Sequence, residues 1–149
     1  MPVRIRIRLR ALEGPRAGRT AELNALLSTA YIASSPEVIV PAELAEWLGL
    51  WPSPESYEQI EYYAAGEPVS FCAIRKCAML QVVEEDVCTK EIPVDLVISE
   101  AEDEVLLSDY VMGELGIIVL DARRGYWRFR GDPASLARPS RRSESWARP

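Results

Sequence analysis

Apolar and polar residues alternate without a break from Val3 to Arg10, with Val3, Ile5, Ile7 and Leu9 on one face and Arg4, Arg6, Arg8 and Arg10 on the other. Strict period two over such a stretch predicts a half-buried strand. The glycines and proline of residues 13–18 predict a turn, so the next strand, about Arg19 to Leu27, is expected to return antiparallel to the first. The arginine row reads as a solvated edge face that discourages aggregation. A phosphate-contacting stripe would need supporting aromatics or backbone donors, which the sequence does not show here.

The stretch Leu23 to Leu50 is the densest in local signals. An apolar strand ends at Ser28-Thr29-Ala30, a short strand follows at Val38-Ile39-Val40, and a helix opens at Pro41 and closes at Gly49. Glu43 suits the positive end of that helix, and Leu44, Trp47 and Leu48 share one face. Trp51 to Ser56 reads as a loop. Strand signals then run from Tyr57 to Ala64, Pro68 to Ile74, Cys77 to Glu84 and Ile92 to Ile98, with Ala65-Gly66-Glu67 and Arg75-Lys76 as the expected turns. A second helix is predicted with Ser108 as N-cap, Asp109 in the first turn, Val111, Met112 and Leu115 inward, and Gly116 at its end. Ile117 to Leu120 and Gly125 to Arg130 form a closing hairpin, with Trp127 and Phe129 on one face. From Gly131 onward, proline, serine and arginine without periodicity predict a flexible basic tail over 131–149. Short strands at this spacing predict a mainly β fold, a barrel or sandwich with minor helix.

Composition narrows the chemistry. A chain of 149 residues with 48% apolar and 27% charged residues is long enough for one folded core and too apolar for general disorder. No apolar run approaches the ~20 residues that cross a bilayer, so no membrane span is expected and a cytoplasmic location fits. Histidine is absent and the cysteines are three, Cys72, Cys77 and Cys88, which excludes imidazole chemistry and the Cys/His zinc frameworks. The cysteines read as small apolar core residues, with one pair from neighbouring strands still able to bridge. One asparagine and two glutamines among many glutamates and prolines fit a thermophilic source.

The net charge of −6 hides an asymmetry. Residues 1–20 carry six arginines against one acid and residues 123–149 eight against two, while the body between holds 20 acids against three bases. The basic ends are expected to pair with the acidic body of the same or a neighbouring subunit, in preference to nucleic acid. The glutamate-rich stretches 84–91 and 100–104 read as solvated loops, with no metal site and no cofactor expected.

The order of elements resembles the single-domain aspartic proteases of the retropepsin type, in the short form found in many prokaryotes. There a strand ends in Asp-Thr-Gly-Ala and leads through a short strand to a Pro-initiated helix closing on Leu-Gly-Leu. A flap hairpin follows, then a second signature near the C-terminus, a helix ending in Leu-Gly, and a hairpin. The matching segments are Ala25-Leu26-Leu27-Ser28-Thr29-Ala30, Val40 to Leu50, and Leu106-Leu107-Ser108-Asp109 continuing to Ile117, so the similarity spans about residues 19–130. It implies a closed acid-protease-like β-barrel over residues 1–130 with one or two short helices, a flap tip at Ala65, Gly66 and Glu67, and a homodimer, since one such domain makes half a cleft.

The match breaks at the chemical centre. Ser28 stands where the family has its aspartate, Ala30 where it has glycine, and the interval from Ser28 to Pro41 is longer than the family's. The family's mechanism needs two carboxylates sharing a proton around a nucleophilic water. A pair of serine hydroxyls holds its protons too tightly, and no base lies near to activate them. Glu37, in the lengthened loop, reads as part of a surface turn, and Asp109 as a structural helix-terminal carboxylate. The expectation is therefore a protease-like domain without catalytic residues, acting as a homodimeric peptide- or protein-binding or assembly module. The alternatives are an active aspartic endopeptidase using an unplaced carboxylate, and a nucleic-acid-associated protein using the basic ends.

Overall fold

The computed structural model describes residues 2–52, 57–64 and 66–146; the loop expected over 53–56, the hairpin-tip residue Ala65 and the last three residues lie outside them. Among the described residues the order is β1 (Arg4–Ala11), β2 (Thr20–Leu27), β3 (Glu37–Pro41), α1 (Ala42–Trp47), β4 (Tyr57–Ala64), β5 (Glu67–Val82), β6 (Ile92–Ser99), β7 (Val105–Leu107), α2 (Asp109–Glu114), β8 (Ile117–Asp121), β9 (Tyr126–Phe129) and β10 (Arg138–Pro139). The fold is mainly β. Six strands close into a barrel in the order β1-β2-β7-β3-β6-β5, with β5 returning to β1 and β4 continuing outward from β5. Among the described residues no helix is long and apolar enough to cross a membrane.

The alternation that predicts β1 places Ile5, Ile7, Leu9 and Ala11 in the core, where they meet Leu23, Leu80, Leu96 and Leu107 from the other barrel strands. β1 is nevertheless not an edge, because it pairs with β2 on one side and β5 on the other. Its arginines emerge on the closed barrel's outer surface, and each finds an acid of the same chain: Arg4 holds Glu104 at 2.7 Å, Arg6 holds Glu144 at 3.1 Å, Arg8 holds Glu22 at 2.6 Å and Arg10 holds Glu91 at 3.0 Å. Four of the six arginines of the basic N-terminus thus meet a carboxylate within the chain, while Arg16 and Arg19 donate to main-chain carbonyls at the end of α1. Such part-exposed pairs add little stability individually, but they leave few free cations on this face.

The helices follow their capping signals. Pro41 stands one place outside α1, as its N-cap, and Leu44, Ala45 and Leu48 are buried while Trp47 is half-buried. Ser108 caps α2 by accepting the Val111 N–H, and Val111, Met112 and Leu115 face inward. The hairpin β8–β9 buries Trp127 completely and Phe129 nearly so.

Two further expectations fail. Arg75-Lys76 is not a turn between two strands, since β5 runs unbroken over 16 residues. Its register against β6 passes from Ile74↔Leu96 to Ala78↔Val94, so Arg75, Lys76 and Cys77 stand opposite Asp95 alone. This is an enlarged β-bulge, and it marks where β5 changes its other neighbour from β4 to β1.

The segment 131–146 is also not a loose tail. β10 pairs with β9, and the Arg138 side chain, 10% exposed, reaches Asp132 at 2.8 Å and Asp86 at 2.7 Å while covering the Phe129 ring at 5.0 Å. Ser140 Oγ accepts the Arg4 N–H at 2.7 Å, Arg141 holds Glu84 at 3.1 Å, and Glu144 accepts the Asn24 N–H at 3.0 Å. Trp146 packs beside Trp47. Discrete anchors every few residues hold this segment, and such anchoring leaves no periodic trace in the sequence.

Candidate functional site

The site is built around a chain crossing. β7 lies between β2, parallel to it, and β3, antiparallel to it, so Leu107 sits between Leu27 and Val38. The connection from β2 to β3, residues 28–36, must therefore arch over the end of β7. Hydrogen bonds fasten the arch at both feet: the Ser28 N–H donates to the Leu107 carbonyl at 3.3 Å, and the Ser108 hydroxyl donates to the Glu37 carbonyl at 2.6 Å. Between them Asp109 accepts the Ala33 N–H at 2.9 Å and donates its own N–H to the Tyr31 carbonyl at 2.9 Å. Leu106, Leu107, Ser108 and Asp109 thus form the support of the arch.

At the arch itself Ser28 is half-buried and Thr29 and Ala30 are exposed. Ile32 at its crest is 72% exposed, which is unusual for so large an apolar side chain. Tyr31 turns the other way and is 8% exposed, its hydroxyl donating to Glu37 Oε1 at 3.0 Å.

Glu37 is not part of a surface turn. It opens β3, is 5% exposed, and is the centre of a polar cluster. Besides Tyr31, it accepts hydrogen bonds from the hydroxyls of Tyr62 and Ser35 and from the Arg75 guanidinium at 3.2 Å. The same Arg75 nitrogen reaches Asp95, which is 2% exposed, at 3.1 Å, and Arg75 Nε donates to Glu58 at 2.7 Å. Asp95 fills the gap of the β5 bulge by accepting the Lys76 N–H at 2.7 Å. Two buried carboxylates thus share one guanidinium, the arrangement that makes buried charge tolerable.

The cluster also pins the β4–β5 hairpin. Tyr62 on β4 meets Tyr31 edge-on at 5.9 Å and Phe71 on β5 at 6.1 Å, while Glu58 on β4 takes Arg75. Of the residues expected at the hairpin tip, Gly66 adopts a φ of +82° and Glu67 begins β5, exposed.

Titration behaviour follows from this packing. Burial, then the Glu37 charge, pushes the Tyr31 phenol well above its ordinary range. Burial and the hydrogen bond to Glu37 push Tyr62 up to about 12. For Arg75 burial works against the charge, yet the bonds from Glu58, Asp95 and Glu37 outweigh it and hold the guanidinium more firmly protonated than usual. These groups are set for permanent charge and permanent hydrogen bonding, not for proton exchange near neutrality.

Sequence reasoning singles out Ser28, Thr29 and Ala30 and, separately, the Leu106–Asp109 segment without relating them in space; in the structure both lie at the end of β7. It misses the Glu37–Arg75–Asp95 cluster. One signal was available: Asp95 interrupts the apolar run of β6, and a charged residue inside a buried strand needs a partner. The three cysteines are free, with Cys77 buried, Cys72 half-buried and Cys88 exposed. In comparisons with known proteins, the chain matches no family model and no curated protein.

Proposed function

We propose that this chain is a retropepsin-like barrel without proteolytic activity that works as a homodimeric module, binding a peptide or protein partner where the 28–36 arch meets the β4–β5 hairpin. The observation that carries the reading is the occupancy of the arch. A half-buried hydroxyl, Ser28, stands at the end of β2, and the two acids that meet the arch are engaged, Asp109 by a backbone N–H and Glu37 by four side-chain donors. Glu37, its lone pairs filled by these four donors, has no vacancy for a nucleophilic water.

The placement of β7 between the two strands joined by the arch, followed directly by α2, supports the family reading. The exposed crest of Thr29, Ala30 and Ile32 supports self-association, since a two-fold contact needs a self-complementary apolar patch. The paired state of the β1 arginines favours a protein or peptide ligand over nucleic acid.

The test combines sedimentation with digestion of an unfolded protein at acid and neutral pH. A dimer that dissociates in Ile32→Asp, together with no cleavage, is expected. Pepstatin-sensitive cleavage abolished by one carboxylate substitution would overturn the non-proteolytic assignment, and a monomeric wild-type chain would overturn the dimer. Ser28→Asp with Ala30→Gly provides a check on the alignment: facing carboxylates in a dimer would raise one carboxyl pKa, and ordinary titration of both would count against the family reading.

A further inference from the structure

We propose that the depression between the β5 bulge, the start of β6 and α2 is a binding site for a phosphate group, either free or carried on a small apolar body. Its volume is about 360 Å³, and its lining includes Lys76, Lys90, Tyr110, Pro36 and Pro93. That size is within the usual range of small-molecule sites, roughly 300–1,000 Å³.

Three independent observations converge on it. The first is charge. Lys76 and Lys90 are the two lysines of the chain, 14 residues apart in sequence, and both line this one depression. The arginines of β1, Arg75, Arg138 and Arg141 each hold a carboxylate, whereas among the described residues neither lysine ammonium has a hydrogen bond or ion pair. In a chain with 23 acids and only two lysines, both free ammonium groups line this one depression. Of the acids at its rim, Glu91 is bound by Arg10 through both oxygens, which leaves Glu114 as the opposing charge.

The second observation is backbone conformation. Lys76 has a φ of +47°, the left-handed region that side chains other than Asn and Asp seldom enter. Asp95 holds it there through the Lys76 N–H. Such positions persist where the structure over-determines them, and they concentrate at ligand clamps. Asparagine or glycine would fit this φ more easily, and the lysine that stands here brings an ammonium to the depression.

The third is the wall. Tyr110, in the first turn of α2, is 39% exposed with no partner for its hydroxyl among the described residues, and Pro36 and Pro93 add flat apolar surface. Lysine binds phosphate as a point charge, and an exposed phenol offers one more donor together with a face for stacking. The combination fits a phosphate monoester whose organic part lies on Tyr110, or the free anion held by the two lysines alone.

The experiment is titration of the full chain at low salt, followed by calorimetry and by amide chemical shifts, with inorganic phosphate and phenyl phosphate as the two probes. Saturable one-to-one binding is expected, with shifts confined to residues near 76, 90 and 110. Lys90→Gln and Lys76→Asn, the latter compatible with the left-handed backbone, are each expected to weaken binding about tenfold, and together to abolish it. Urea unfolding of each variant separates loss of binding from loss of fold. Tighter binding of phenyl phosphate, reversed by Tyr110→Ala, assigns an organic phosphate; equal affinity assigns the free anion. Absence of saturable binding for both probes, or binding unchanged in the folded double variant, would overturn the proposal.

Discussion

Arg75→Met is the most informative perturbation of the fold. The substitution keeps an unbranched apolar stem and removes the one cation shared by Glu37 and Asp95. Those carboxylates are 6% and 3% exposed, at 3.2 and 3.1 Å from the same guanidinium nitrogen. With an effective dielectric of about 20, each attraction is about 5 kcal/mol before desolvation. The net loss is much smaller. Arg75 is 38% exposed, so solvent screens it, Glu37 keeps its three hydroxyl donors, and Asp95 keeps the Lys76 N–H. Breaking a buried pair costs about 3–5 kcal/mol, and the exposure of Arg75 places this case at the low end, about 3 kcal/mol. For a chain of this length that lowers the midpoint of thermal unfolding by roughly 6–12 °C.

The rescue distinguishes this reasoning from a simple loss of packing. Asp95→Asn alone is expected to cost about 1 kcal/mol, since Arg75 keeps Glu37 and Glu58. In the Arg75→Met background the same change removes an uncompensated buried charge, so the double variant is expected to be no less stable than Arg75→Met. The resulting coupling is about 1–2 kcal/mol, read from urea midpoints at constant m-value. Additivity of the two costs to within about 0.5 kcal/mol would refute the idea that Arg75 acts by charge compensation.

Tyr62→Phe is expected to cost about 1.5–3 kcal/mol, the worth of a hydrogen bond to a charged acceptor, and to speed amide exchange in β4 and the first half of β5 while the rest of the barrel is unchanged. Arg138→Met is expected to destabilise the chain by about 3 kcal/mol at neutral pH. Arg138 holds the Asp132 carboxyl below its ordinary range, so this contribution is complete above the unfolded pKa of about 4 and is lost as pH falls through the lower folded value. The stability gap between wild type and variant should therefore close in acid, as read by urea unfolding across pH. Native alkylation should modify Cys88 first and Cys77 only on unfolding, because Cys77 is buried and its thiol is pushed up to about 12 by that burial; peptide mass mapping reads the order.

What the sequence made legible was whatever repeats or punctuates. The alternation of β1, the caps of α2 and the two faces of β9 all follow from local rules that use adjacent residues. The arch over β7 was not read from the sequence, because it depends on β7 pairing with strands distant from it along the chain. The Glu37–Arg75–Asp95 cluster was not visible, because its members come from three strands and its geometry depends on a bulge. Arg75-Lys76 between two apolar runs has the composition of a turn, and only pairing with β6 shows that the strand continues. The 131–146 segment was misread for the converse reason: its composition is that of a loose chain, and its order comes from partners such as Asp86, Glu84 and Arg6, which lie far away in sequence.

The bulge connects these features. By setting three β5 residues against Asp95, it turns Arg75 toward the buried carboxylates and leaves Lys76 at the depression shared with Lys90. One irregularity in one strand therefore supplies the cation shared by the interior carboxylates and a free cation for the surface. It also sits where β5 leaves the barrel for the hairpin, so the cluster that fastens Tyr62 is built at the hinge of the element it fastens. An arginine is suited to the inner position, since its fork can serve Glu37, Asp95 and Glu58 together, whereas a lysine's point charge could not. At the outer position a mobile ammonium is the better group for an exchangeable anion. The adjacent pair Arg75-Lys76, which reads in sequence as interchangeable positive charge, is divided by the backbone into a structural and a binding role.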